Sequence, residues 1–129
     1  MRFNITDTDI TTDDFNYGML NISPNDTEGF RPFQLMVASI AGCSASVYRR
    51  ILKKQKIEYD ELSVEADVVR TGDDVNKIEK ITLNFKIKGQ ELNQKKLNKS
   101  LEIATKNCSM VQSVVPTMEV EETVEIIEE

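Results

Sequence analysis

Between Arg31 and Ala45 nearly every position is apolar or small, and a single thiol, Cys43, falls in the middle of the stretch. Phe33, Leu35, Met36, Val37 and Ile40 supply bulk, while Ala38, Ser39, Ala41, Gly42, Ser44, Ala45 and Ser46 leave room for another backbone to approach. The pattern predicts a helix hydrophobic on nearly every side, which belongs inside a protein. Pro32 suits its first position, because the missing N–H would have no intrahelical partner there. Val47, Tyr48, Ile51 and Leu52 extend it to about Lys56. Arg49, Arg50, Lys53, Lys54 and Lys56 cluster in its last turns, favourable against the negative end of the helix dipole. Anion binding is the other reading of that cluster; a solvated helix end accounts for it more simply.

Further on the period changes to two. Leu62, Val64, Ala66 and Val68 alternate with Ser63, Glu65 and Asp67, and Ile81, Leu83, Phe85 and Ile87 alternate with lysines and polar residues. Thr71-Gly72-Asp73-Asp74 supplies the turn between them, so the pair reads as an antiparallel hairpin. After Gly89, Asn93 is placed to cap a helix running to about Lys106. Asn107-Cys108-Ser109 interrupts it, and Met110 to Val115 reads as a short helix stopped by Pro116. Met118, Val120, Val124 and Ile126 then form a closing strand with an acidic outer face. Ahead of the long helix, Phe3 and Ile5 mark one short strand and Tyr17 to Ser23 another. The polar run from Thr6 to Asp14 reads as a turn or mobile loop. Those two strands cannot bury themselves alone and are expected to join a larger sheet, that of a partner included. The order is β-β-α-β-β-α-α-β, an α+β fold with a mostly antiparallel sheet and helices on one face.

Composition narrows the chemistry. A chain of 129 residues, 40% hydrophobic and 29% charged, is expected to fold as one domain, 1–129. Its net charge of -6 argues against nucleic acid as a partner. No apolar run approaches the roughly 18–20 residues that span a bilayer, so no membrane partner is expected. The polar opening after Met1 lacks a signal-peptide pattern, which makes the cytoplasm the expected location. There, two cysteines read as free thiols or a catalytic pair rather than a structural staple. Without histidine, Ser-His-Asp and Cys-His mechanisms and imidazole zinc sites are excluded. No phosphate-loop or dinucleotide motif occurs, and no cofactor or metal is expected.

Taken alone, Cys43 reads as a small core hydrophobe. Cys108, at the opening of a short helix, is placed where N–H groups can favour a thiolate. Together, the segment Pro32-Phe33-Gln34-Leu35 through Ala41-Gly42-Cys43-Ser44-Ala45 and the later Asn107-Cys108-Ser109-Met110-Val111 resemble the OsmC/Ohr family. The resemblance runs from about Arg31 to the end and is weaker over residues 1–30. It implies an OsmC-like fold in an intertwined homodimer, with the reactive centre at the subunit interface. It also implies a thiol peroxidase that reduces organic hydroperoxides. Cys43 would be the peroxidatic cysteine, oxidised to a sulfenic acid, and Cys108 the resolving one, with an external dithiol as reductant.

One departure from the family pattern stands out. Peroxidase members carry a glutamate directly after the proline, where it orients an arginine beside the thiol. Here that position is Phe33, and the next, acidic in another branch, is Gln34. Asp26 and Glu28 are the carboxylates just upstream, and Arg2 and Arg31 are the arginines of the N-terminal region. Two other functions therefore stay open. One is a non-catalytic relative that binds a small apolar ligand or senses redox state. The other is a thioester-binding hot-dog domain, where a buried helix is likewise wrapped by antiparallel strands; it gives Cys108 no role and finds no obvious catalytic carboxylate.

Overall fold

In the computed structural model, which describes residues 1–128, the elements run β1 (Asn4–Ile5), β2 (Ile10–Thr12), β3 (Leu20–Ile22), α1 (Pro32–Lys54), β4 (Glu61–Arg70), β5 (Ile78–Lys88), α2 (Gln94–Lys106), α3 (Ser109–Val114) and β6 (Glu119–Ile126). They fall into two compact units, Met1–Ala38 and Ser39 onward.

The larger unit is built around β5. Its inward residues Ile81, Leu83, Phe85 and Ile87 have no exposed surface. Each such side chain contributes about 1.5–3 kcal/mol through the area it removes from water. β4 pairs with β5 antiparallel, from Glu61↔Lys88 to Arg70↔Ile78, giving the expected hairpin. The closing strand departs from expectation. β6 runs parallel to β5, with Ile81 opposite Val120 and Phe85 opposite Val124. Parallel neighbours need a long crossover, and the α2–α3 segment supplies one, so the sheet is mixed rather than antiparallel. On its outer face the acidic side of β6 meets lysines of β5. Lys80 reaches Glu121 at 2.9 Å, while Lys86 reaches Glu65 of β4 at 3.1 Å. These pairs are largely solvated, so they fix register more than they add stability.

The helices close over the inner face. Tyr48 of α1 meets Phe85 edge-on, with ring centroids 5.0 Å apart. Its hydroxyl donates to the Leu97 carbonyl of α2 at 3.1 Å. Burial there holds the phenol well above its ordinary pKa. On α2, Leu97, Ser100, Leu101 and Ala104 turn inward. Asn93 caps this helix as expected, accepting from the Lys96 N–H at 3.1 Å.

α1 is less enclosed than its sequence suggests. Its buried residues form one stripe, Ile40, Ser44, Val47, Tyr48 and Leu52, while Met36, Gly42 and Ser46 are exposed. By length and composition Pro32–Lys54 is also apolar enough to cross a membrane, contrary to the expectation that no such run exists. From its buried stripe Tyr48 reaches Phe85 and Leu97 of the same unit.

The N-terminal unit carries three strands rather than two. Ile10–Thr12 forms β2, paired antiparallel with both β1 and β3, inside the run expected to be a loop. A turn makes this possible: the Thr6 hydroxyl donates to Asp9 Oδ1 at 2.6 Å, and the Asp9 N–H returns to Thr6 Oγ1 at 3.0 Å. Within the chain the strands pair with one another in a three-stranded sheet of their own. Gly29 closes the unit where Phe30 N–H donates to Asn21 O at 2.9 Å. A Cβ on Gly29 would lie 2.9 Å from Ile22 C and Ser23 N, and these are backbone atoms that cannot swing aside. Gly29→Ala is therefore expected to destabilise this unit by about 1–3 kcal/mol. Faster amide exchange at Ser23 and Phe30 is the measurement, and unchanged protection would refute it.

Candidate functional site

α2 ends at Asn107, whose side-chain amide donates to the Ile103 carbonyl at 2.8 Å. Helical geometry stops there, and Cys108 follows with φ -85° and ψ 110°, extended backbone that starts α3. The first N–H groups of a helix have no intrahelical acceptor. At the start of α3 the N–H groups of Met110 and Ser109 favour the thiolate of Cys43, and those of Val111 and Met110 that of Cys108. α1 delivers Cys43 from the other side, with its Sγ 3.7 Å from the Ser109 hydroxyl. Both cysteines are free thiols, Cys43 half-buried and Cys108 without exposed surface.

This setting splits the two thiols. The Met110 N–H, then the Cys108 thiol and the Ser109 hydroxyl and N–H, favour the ionised Cys43 sulfur. Against the opposing effect of burial, they hold it below the ordinary thiol range. Cys108 moves the other way: burial comes first, and the neighbouring Cys43 sulfur adds to it, so it holds its proton above the ordinary range. Only the thiolate reacts, so of the two thiols Cys43 is the one more readily ionised and the less buried, while Cys108 is a proton-bearing neighbour. Iodoacetamide labelling should therefore reach half its maximal rate for Cys43 at a lower pH than for an ordinary thiol. The preference for Cys43 over Cys108 should widen as pH falls toward neutrality. Equal labelling of the two across that range would refute the assignment.

The remaining expected residues belong to the N-terminal unit. Arg2 is exposed, and its backbone N–H donates to Asp14 Oδ2 at 2.6 Å. The Arg31 guanidinium lies 4.7 Å from the centre of the Phe33 ring, a cation–π contact. Gln34, Asp26 and Glu28 are exposed. The structure thus unites Cys43 with Cys108. Among the described residues no group of three or more His, Cys, Asp or Glu is arranged to hold a metal.

Sequence reasoning passed over three neighbours of the pair. The hydroxyl of Ser44, next to Cys43, donates to Glu122 Oε1, and that of Thr105 donates to Glu122 Oε2. The signal was present: Glu122 interrupts the inward series Val120, Val124, Ile126, so a charge occupies an apolar register.

The family model for OsmC-like protein matches residues 24–123. No curated protein sequence matches significantly. Among solved structures, a hypothetical protein from Aquifex aeolicus is similar over 99% of this chain and 95% of its own, with TM-score 0.85 and 20% identity. An organic hydroperoxide resistance protein OsmC from Legionella pneumophila is similar over 96% of this chain and 93% of its own (TM-score 0.72, 20% identity). The organic hydroperoxide resistance protein OhrB of Bacillus subtilis is similar over 96% and 95% (TM-score 0.68, 20% identity). At such identities the structures speak for the fold, and the family match speaks for descent. The α+β chain with a cysteine midway along its long helix and a second at the head of a later one belongs to the OsmC-like family.

Proposed function

We propose that this protein is a thiol-dependent peroxidase of organic hydroperoxides, acting in the cytoplasm as a homodimer of one OsmC-like domain, 1–129. The observation that carries the reading is an accessible thiol, Cys43, held below the ordinary pKa beside a buried thiol, Cys108, held above it. Family membership supports a peroxidase-type or stress-response role more broadly. The homodimer is supported by the large apolar side chains that the N-terminal unit leaves exposed, among them Ile5, Tyr17, Met19 and Phe30.

In this cycle the Cys43 thiolate attacks the distal oxygen of ROOH. The S–O bond forms as the O–O bond breaks, and RO⁻ leaves to take up a proton as ROH. Sulfur is oxidised to a sulfenic acid and the peroxide is reduced to an alcohol. The α3 N–H groups, which stabilise the Cys43 thiolate beforehand, take the part that the resemblance gives to an arginine. Cys108 then attacks the sulfenic sulfur, its proton leaves with the hydroxyl as water, and the disulfide remains. An external dithiol restores both thiols by exchange.

The test is thiol titration with mass spectrometry after one equivalent of cumene hydroperoxide. Both thiols should disappear with formation of one intrachain disulfide, and repeated turnover should follow when dithiothreitol is supplied. An unchanged thiol content would overturn the proposal. A disulfide that forms without turnover would favour the redox sensor.

A further inference from the structure

Glu122 is an acid in a place built for a hydrocarbon. Along β6 it shares the inward face with Val124, and its register partner on β5 is Leu83, which has no exposed surface. Setting a carboxylate on that face costs free energy unless its oxygens are satisfied. Both oxygens meet a hydroxyl, from two different elements: Ser44 of α1 and Thr105 of α2, whose hydroxyl proton is shared with the Leu101 carbonyl at 3.0 Å. Ser44 is itself fully buried and directly follows Cys43. Thr105 lies one turn before Cys108, and its carbonyl accepts from the Cys108 N–H at 3.3 Å and from Gln112 Nε2 at 3.1 Å. A continuous chain of bonds therefore runs from the residue beside one thiol, through Glu122, to the backbone of the other.

We propose that Glu122 is a positioning residue that clasps the helix bearing Cys43 to the segment bearing Cys108 and so sets the reach between the two sulfurs. The inference rests on the thiol-pair chemistry proposed above and deepens it. A hydrophobic residue would have filled the same register with better packing. A carboxylate with two hydroxyl donors instead adds direction, because hydrogen bonds to a charged acceptor are shorter and stronger than neutral ones. Glutamine matches the shape but offers one carbonyl oxygen in place of two acceptors, so one of the two hydroxyls loses its partner.

The test measures the Cys43–Cys108 equilibrium in a dithiothreitol redox buffer, without peroxide, together with the pH profile of Cys43 alkylation and the unfolding midpoint. Glu122→Gln is expected to lower the disulfide equilibrium constant about tenfold, as befits loss of one hydrogen bond to a charged group. It should also raise the pH midpoint of Cys43 alkylation, as the α3 N–H groups drift from the sulfur. A residue that merely stabilised the fold would move the unfolding midpoint and leave both thiol readouts of the folded protein alone. Should Glu122→Gln fail to fold, Ser44→Ala removes one arm of the clasp and is expected to move both readouts in the same direction. Values within about twofold of the parent in the folded variant would overturn the clasp, because one such bond is worth more than that. If dithiothreitol keeps the parent pair fully reduced in this buffer, the alkylation profile alone decides the clasp: a raised midpoint supports it and an unchanged one overturns it, while the peroxidase proposal is decided separately by the thiol titration with cumene hydroperoxide.

Discussion

Exchanging Cys43 for serine is expected to abolish organic hydroperoxide consumption, a loss of roughly a thousandfold or more, because a serine hydroxyl without an adjacent base is a far weaker nucleophile. The N–H groups of Met110 and Ser109 would remain, with nothing ionised for them to stabilise. Cys108→Ser should behave differently. Its first turnover should proceed at nearly the parent rate, because Cys43 keeps its strongest stabilising bond, to the Met110 N–H. The sulfenic acid should then persist long enough for dimedone to trap it, and excess peroxide should carry it to the sulfinic level. Substantial peroxide consumption by Cys43→Ser would show that the reaction lies elsewhere. Failure of dimedone to label Cys108→Ser would remove the sulfenic intermediate from the scheme.

Phe85→Ala is expected to have the largest effect on stability, about 3–5 kcal/mol, since truncating a buried aromatic removes transfer free energy and leaves a cavity. Phe85 has no exposed surface, lies opposite Val64 on one neighbouring strand and Val124 on the other, and meets Tyr48 edge-on. Strands on both sides and α1 above would lose a shared contact. For a chain of this size Tm should fall by roughly 10–20 °C. A loss below about 1 kcal/mol would mean that the core closes around the gap, contrary to the rigidity expected of close-packed interiors.

Much of the larger unit could be read from its residues. The alternation Ile81, Leu83, Phe85, Ile87 identifies β5, and the break at Asn107 separates α2 from α3, because period and capping are local properties. Strand direction is not local. Val120 and Val124 alternate identically whether β6 runs with β5 or against it, so the parallel pairing was invisible. Ile10–Thr12 escaped notice for another reason: three residues make too short a pattern, and β2 owes its existence to the Thr6–Asp9 turn. At the site, the two cysteines were legible as a pair only through the family resemblance, since 43 and 108 share no local pattern. Glu122 was overlooked because charge is ordinarily counted as surface, whereas here the partners on α1 and α2 make its inward position tolerable.

The Cys43–Ser109 contact joins positions 66 apart, so a bridge from Cys43 to Cys108 would close a loop of about that length around the whole hairpin and α2. In the chain-entropy view, tying off so large a loop removes enough freedom from the unfolded chain to stabilise the native state by about 4 kcal/mol. On the proposed cycle each encounter with peroxide would then also write a mechanical record, with the spent protein resisting heat and proteases better than the fresh one. Reduction would erase it. Melting temperature, measured with and without dithiothreitol, would thus report the redox history of the molecule without any assay of its chemistry.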